Sequence, residues 1–269
     1  MKKNIFILIL SLFMAFIINL SADARQPYTI IEYKKGIYVI EINTNKTNYK
    51  LMPAYVDELE TNLDVYEASG AKMVVNAGFF DPKNQKTVSY VVIDGKTVLD
   101  PNENENLIGN RNLQPYMDKI LNRSEFRILE DDKGKRIYDI APHNDKIPEG
   151  TKLIHSIQAG PMLYPDLRFE EEFFVLVKDG ELKSESASCL HHFARTGIGI
   201  KKNRVYIFIA TKDAPLTLTE LSDIARIWGM EKAMAFDGGG STSFDSEDLH
   251  ILSDYANEGR KLKSFLILK

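Results

Sequence analysis

The chain has 269 residues, with 34 Lys and Arg against 38 Asp and Glu, a formal charge of −4 and a single cysteine. A mildly acidic balance without basic clusters excludes a general nucleic-acid binder, which needs concentrated Lys and Arg. Cys189 alone cannot form an intramolecular disulfide, so the fold must rest on its core, and a chain of this length is long enough to bury one.

The first 24 residues, MKKNIFILILSLFMAFIINLSADA, join a basic start at Lys2 and Lys3 to an apolar run from Ile5 to Leu20 and an A-x-A pattern at Ala22 to Ala24. This is the organisation of a secretory signal. Residues 1–24 are therefore read as a signal peptide, and the protein is expected to be exported, periplasmic or extracellular. The apolar run approaches the roughly 20 residues of a membrane span, so any membrane contact is expected only through this segment if it stays uncleaved. Losing Lys2, Lys3 and Asp23 takes the charge from −4 to −4 − 2 + 1 = −5.

Residues 25–269 read as one compact domain. YTIIEYKKGIYVIEINT, from Tyr28, alternates apolar and polar residues around Lys35-Gly36, which predicts two strands and a turn. In YVDELETNLDVYEASGAK, Leu59, Leu63, Val65 and Tyr66 have helical spacing and Gly70 offers a stop; KMVVNAGFF then reads as a strand. The same order recurs in RVYIFIAT, TLTELSDIARIWGM and KAMAFDGGG, and two such units predict an α/β or α+β fold, a mixed β-sheet core with flanking helices. Between them, residues 101–150 are polar and rich in Asn, with one short helical pattern through Leu113, Met117, Ile120 and Leu121, and are expected to be a surface insertion or lid.

Four glycine motifs stand at the ends of apolar segments: VVNAGFF with Asn76 and Gly78, QAGPMLY with Gln158 and Gly160, ARTGIGI with Arg195 and Thr196, and FDGGGSTSF from Phe236 to Phe244. Ligands of α/β sheets gather beyond the carboxyl ends of strands, and glycines there allow close approach to backbone N–H groups. Arg195 presents a fork of donors suited to phosphate or carboxylate; it is equally suited to pairing with a local acid such as Asp237. Asp237 has the chemistry of a base, a nucleophile or a metal ligand, or of an acid capping a turn. Gly238, Gly239 and Gly240 with the hydroxyls of Ser241 and Thr242 can cradle an oxyanion. Of the adjacent His191 and His192, an extended chain sends only one into a pocket, and His192 is kept as the candidate. There is no HExxH, Walker A or GxGxxG loop and no GxSxG around Ser241. No cofactor or metal is assigned.

Taken together and in order, Asn76 to Phe80, Ala159-Gly160-Pro161, Arg195 to Gly199, Leu216 to Leu218 and Asp237 to Ser241 resemble the motifs of the phosphodiester glycosidase family, over most of the chain from Val74 onward. Ala77 and Ala159 replace family glycines, Gly197 replaces an alanine, and Pro215 stands where a glycine often precedes the L-T-L segment. The resemblance implies an exported hydrolase that cleaves the sugar C1–O bond of sugar-1-phosphodiesters in an envelope or extracellular polysaccharide. A non-catalytic glycan-binding or envelope-assembly protein and a phosphodiesterase cutting P–O are the alternatives. On this reading Arg195 and Gly238 to Gly240 hold the phosphate, Asp237 faces the anomeric carbon, Asn76 orients a sugar hydroxyl or amide, and Asp213 supplies a second carboxylate.

Overall fold

The computed structural model describes residues 27–44, 48–252 and 259–269; the predicted signal segment lies outside them. β1 (Tyr28–Lys34) and β2 (Ile37–Ile42) form the expected hairpin around Gly36, whose φ of +76° suits glycine. The first helix is shorter than its apolar spacing implies, because Leu51–Glu60 is a strand, β3. Thr61 and Asp64 then close a capping box, so α1 spans only Asn62–Ser69, and Gly70 at φ +65° ends it as expected.

The chain continues through β4 (Met73–Asn76), β5 (Val91–Ile93), β6 (Lys96–Leu99), α2 (Glu105–Ile108), α3 (Met117–Leu121), β7 (Ser124–Asp131), β8 (Arg136–Pro142), β9 (Thr151–Gln158), β10 (Met162–Tyr164), β11 (Val175–Lys178) and β12 (Glu181–Glu185). It closes with β13 (Arg195–Lys201), β14 (Arg204–Ala210), α4 (Leu218–Ile227), β15 (Lys232–Ala235), β16 (Ser243–Ser246), β17 (His250–Leu252) and β18 (Leu262–Leu268). Three sheets result, ordered β1-β2-β14-β13-β15-β10, β17-β16-β4-β18-β3 and β6-β5-β9-β7-β8, with β11 and β12 a separate hairpin. The fold is α+β.

The second expected strand–helix–strand unit exists; in the first, the strand leading into the helix is β3 and not the Tyr28 hairpin, which lies in another sheet, and both units carry an inserted strand. β3 and β4 flank α1 in sequence and both run antiparallel to β18, which lies between them. β14 and β15 flank α4 and both run antiparallel to β13. Within each unit the two outer strands therefore point the same way although no pair is directly parallel.

The main core lies between the sheets and draws on all three, including Ile40, Val75, Phe126, Ile128, Ile198, Met234, Phe244 and Leu266. On the outer face of the six-stranded sheet α4 buries Leu218, Leu221, Ile224 and Ala225, each large side chain contributing about 2 kcal/mol. Gly197 makes this packing fit, since a Cβ there would stand 3.2 Å from Leu221 Cδ2.

The stretch 101–150 divides into two. Residues 101–122 carry short helical turns at the surface, whereas β7 and β8 belong to the core sheet, with Phe126, Ile128, Leu129 and Ile140 fully buried. The second half is thus not an excursion. Its polarity misleads because Glu125 and Arg127 are buried as an ion pair at 2.7 Å. Among the described residues, no helix is long and apolar enough to cross a membrane.

Candidate active site

The four glycine motifs meet where the three sheets converge. Asp237 N–H donates to Ala77 O at 2.8 Å, Gly160 N–H to Ala235 O at 3.1 Å, Phe236 N–H to Thr196 O at 2.9 Å and Gly239 N–H to Ala194 O at 2.8 Å. Asn76 is the knot of this junction. Its Nδ2 donates to Asp237 O at 2.6 Å, while its Oδ1 accepts from Thr196 Oγ1 at 2.7 Å and Ser243 N–H at 3.1 Å. Asn76 and Thr196 are both buried. Their side chains fix the backbone that carries Asp237, which makes them positioning residues where a sugar contact was expected of Asn76.

Asp237 keeps partial solvent exposure, yet the protein packed around its carboxyl pushes its pKa up to about 6. Ser241, Arg260, the Gly238 backbone and Arg195 all favour the charged form and oppose that rise. The Ser241 hydroxyl is buried and reaches the carboxyl only loosely, since its Oγ makes no hydrogen bond of full geometry among the described residues; the same holds for Thr242 Oγ1. Gly239 has φ +61° and begins a single 3₁₀ turn, Gly239–Ser241. Gly238 lies against the Arg195 guanidinium, 3.5 Å from a Cβ position to Nη1. The Gly240 N–H has no acceptor among the described residues.

Arg195 was expected to offer an open fork. In the structure it is buried, and four of its five N–H groups already donate to carbonyls: Nε to Leu216 at 2.8 Å, Nη1 to Ala187 at 3.2 Å, and Nη2 to Ser188 and His191 at 2.6 Å each. It therefore clamps the 187–191 loop and the approach to α4, and acts on Asp237 through its charge. Burial lowers its pKa, which remains that of a strong base.

Arg260 is the cation that sequence reasoning missed. Its charge acts on Asp237 more strongly than that of Arg195, and it stands over the Phe80 ring at 5.3 Å and keeps partial exposure. Nothing in EGRKLK separates it from the neighbouring surface lysines.

Gly160 lies at φ +91° before a cis Pro161, and a Cβ there would fall 2.3 Å from Glu172 Oε2. Glu172, also missed because it sits in the acidic run EEEFF, is buried beneath this turn. It accepts from Ser124 N–H, Ser124 Oγ and Met162 N–H at 3.0, 2.7 and 3.1 Å, and burial raises its pKa. Gly78 is enclosed, with Ser264 Oγ 2.8 Å from a Cβ position and Ser264 Oγ accepting its N–H at 3.2 Å.

Two candidates lie apart from this junction. His192 is exposed and its Nε2 pairs with Glu220 at 3.0 Å at the start of α4. Asp213 is exposed past the end of β14 and lines a separate cleft with Lys35 and His250. Cys189 is buried and burial pushes its thiol up to about 11, so it is held as an unreactive thiol. Among the described residues, no group of three or more His, Cys, Asp and Glu side chains is gathered for a metal ion.

A partly buried carboxyl under the charge of Arg260 and Arg195 and a glycine backbone thus meet at one sheet junction. The chain belongs to the phosphodiester glycosidase family, whose model matches residues 69–269. Its fold is similar to the zebrafish N-acetylglucosamine-1-phosphodiester α-N-acetylglucosaminidase catalytic domain auto-inhibited by its pro-peptide, at TM-score 0.62 and 14% identity over 90% of this chain and 81% of that one. A hypothetical protein from Synechocystis gives 0.56 and 14% over 90% of this chain and 61% of its own length, so this chain spans under two thirds of it. A Burkholderia pseudomallei protein gives 0.58 and 13% over 86% and 73%. No curated protein matches the sequence.

Proposed function

We propose that the protein is an exported hydrolase that cleaves the sugar C1–O bond of sugar-1-phosphodiesters in an envelope or extracellular polysaccharide. The observation that carries this reading is the convergence of the four glycine motifs at the junction that holds Asp237, a carboxyl with its pKa raised to about 6 and under the charge of Arg260. In such a substrate the leaving group is a phosphomonoester, a weak base, so charge stabilisation contributes more than protonation. On this reading Arg260 and the Gly240 N–H take the phosphate, a role first expected of Arg195, while Arg195 holds the 187–191 loop.

Above its pKa, Asp237 is a carboxylate at the anomeric centre, where it stabilises an oxocarbenium-like sugar and directs water to C1. Water oxygen then joins C1, and the bridging oxygen leaves with the phosphate. The fold of the zebrafish glycosidase and the family match support the reaction class; the amino-terminal segment supports export. The test is incubation of residues 25–269 with a panel of UDP-sugars and aryl sugar phosphodiesters. Free reducing sugar is expected with the wild type and background release with Asp237→Asn; no release above buffer across the panel would refute the reading.

A further inference from the structure

A cleft of about 510 Å³ lies along the same rim, lined by the β1–β2 turn, the chain after β14, and β17. The register places it. Ile37, Ala210 and Arg195 stand opposite one another across β2, β14 and β13, and Gly239 N–H reaches Ala194 at that edge. Two strand spacings separate β14 from β15, so the cleft wall at Thr211 stands roughly 10 Å from Asp237. The other wall is joined to the site as well, because β16 follows directly on Gly238 to Thr242 and pairs with β17.

His250 is fixed in this cleft. Its Nδ1 lies 2.8 Å from Asp245 Oδ1, and the other oxygen of the buried Asp245 accepts from Asn62 Nδ2 at 2.6 Å. Asn62 is buried at the start of α1 and also donates to Val74 O at 3.0 Å. A carboxylate only accepts, so Nδ1 is the donor and Nε2 is the ring's remaining polar atom. Lys35 and Lys212 line the same cleft and form no ion pair among the described residues. Asp213, Glu32 and Tyr38 also line the cleft.

Ammonium and imidazolium groups donate to phosphate oxygens, carboxylates accept hydroxyl protons, and a tyrosine ring offers an apolar face. A sugar phosphate carries the complement of all three. We propose that this cleft binds the neighbouring sugar-phosphate unit of a polymeric glycan phosphodiester, with His250, Lys35 and Lys212 on its phosphate and Asp213 on its hydroxyls. The proposal rests on the reading of the Asp237 site given above and adds that the substrate is a chain of at least two phosphodiester-linked sugars.

Two substrates test it, one with a single sugar-1-phosphodiester and one extended by a second phosphodiester-linked sugar. For the wild type, kcat/KM is expected to be about tenfold higher on the longer substrate, through KM, the effect of about 1.4 kcal/mol of added binding. The double variant His250→Gln, Lys212→Ala is expected to lose that advantage while its rate on the short substrate is unchanged. Equal kcat/KM on both substrates in the wild type, or equal loss on both in the variant, would overturn it. Direct titration of the longer compound into Asp237→Asn protein separates the two claims. If neither substrate is cleaved but binding is about tenfold weaker when the cleft substitutions are added, the hydrolase reading fails and the cleft stands; binding that ignores those substitutions overturns the cleft.

Discussion

Asp237→Asn keeps the shape of the side chain and removes the charge that the fold disfavours. The pKa of Asp237 rises from an ordinary 3.8 to about 6, and a shift of about 2 units at about 1.4 kcal/mol each corresponds to about 3 kcal/mol. The folded pKa lies above the unfolded one, so protonation stabilises the fold fully below pH 3.8, and that stabilisation is lost as pH rises through 6. Asparagine is neutral throughout. The variant and the wild type should therefore melt together at pH 4 and separate through pH 6, with the variant about 3 kcal/mol more stable at pH 8. For a domain of this size that is roughly 6–12 °C in Tm. Thermal melts across pH 4 to 8 measure it, alongside activity, which should fall to background. Parallel melting curves, or a variant less stable at pH 8, would show that the carboxyl is not held in a disfavoured charged state.

The acid limb of the wild-type pH–rate profile should rise through about pH 6, reporting Asp237 in the free enzyme; Arg260→Ala removes a charge that lowers this pKa, so the limb should move to higher pH, and an unmoved limb would dissociate the two residues. Arg195→Lys loses a buried fork that donates to four carbonyls and should cost about 3 kcal/mol, with proteolytic cleavage appearing at residues 187–191; a stable, protease-resistant variant would contradict the clamp. Gly160→Ala meets both a positive φ and Glu172, and should lower unfolding free energy by about 2–4 kcal/mol in denaturant titration.

Local signals were legible where one residue type had one physical use. Gly70 ended α1, and the alternation around Lys35-Gly36 gave the first hairpin. The place of β18 between β3 and β4 was not legible, because pairing over long sequence separations leaves no local trace. Glu125 and Arg127 hid a core strand by being buried together. At the site, the glycine motifs identified which backbone converges, but a side chain's direction depends on partners contributed by distant strands. Arg195 thus turned towards carbonyls of its own loop, Asp213 towards a neighbouring cleft, and Arg260 entered from a charge-rich segment that reads as solvated surface.

The position of bond cleavage tests the proposed chemistry most directly. Hydrolysis of a sugar-1-phosphodiester in water enriched with oxygen-18, followed by mass analysis of both products, should place the label on the sugar and none on the phosphate, since water attacks C1. Label on the phosphate would mean that P–O is cut, and would contradict a carboxylate acting at the anomeric carbon.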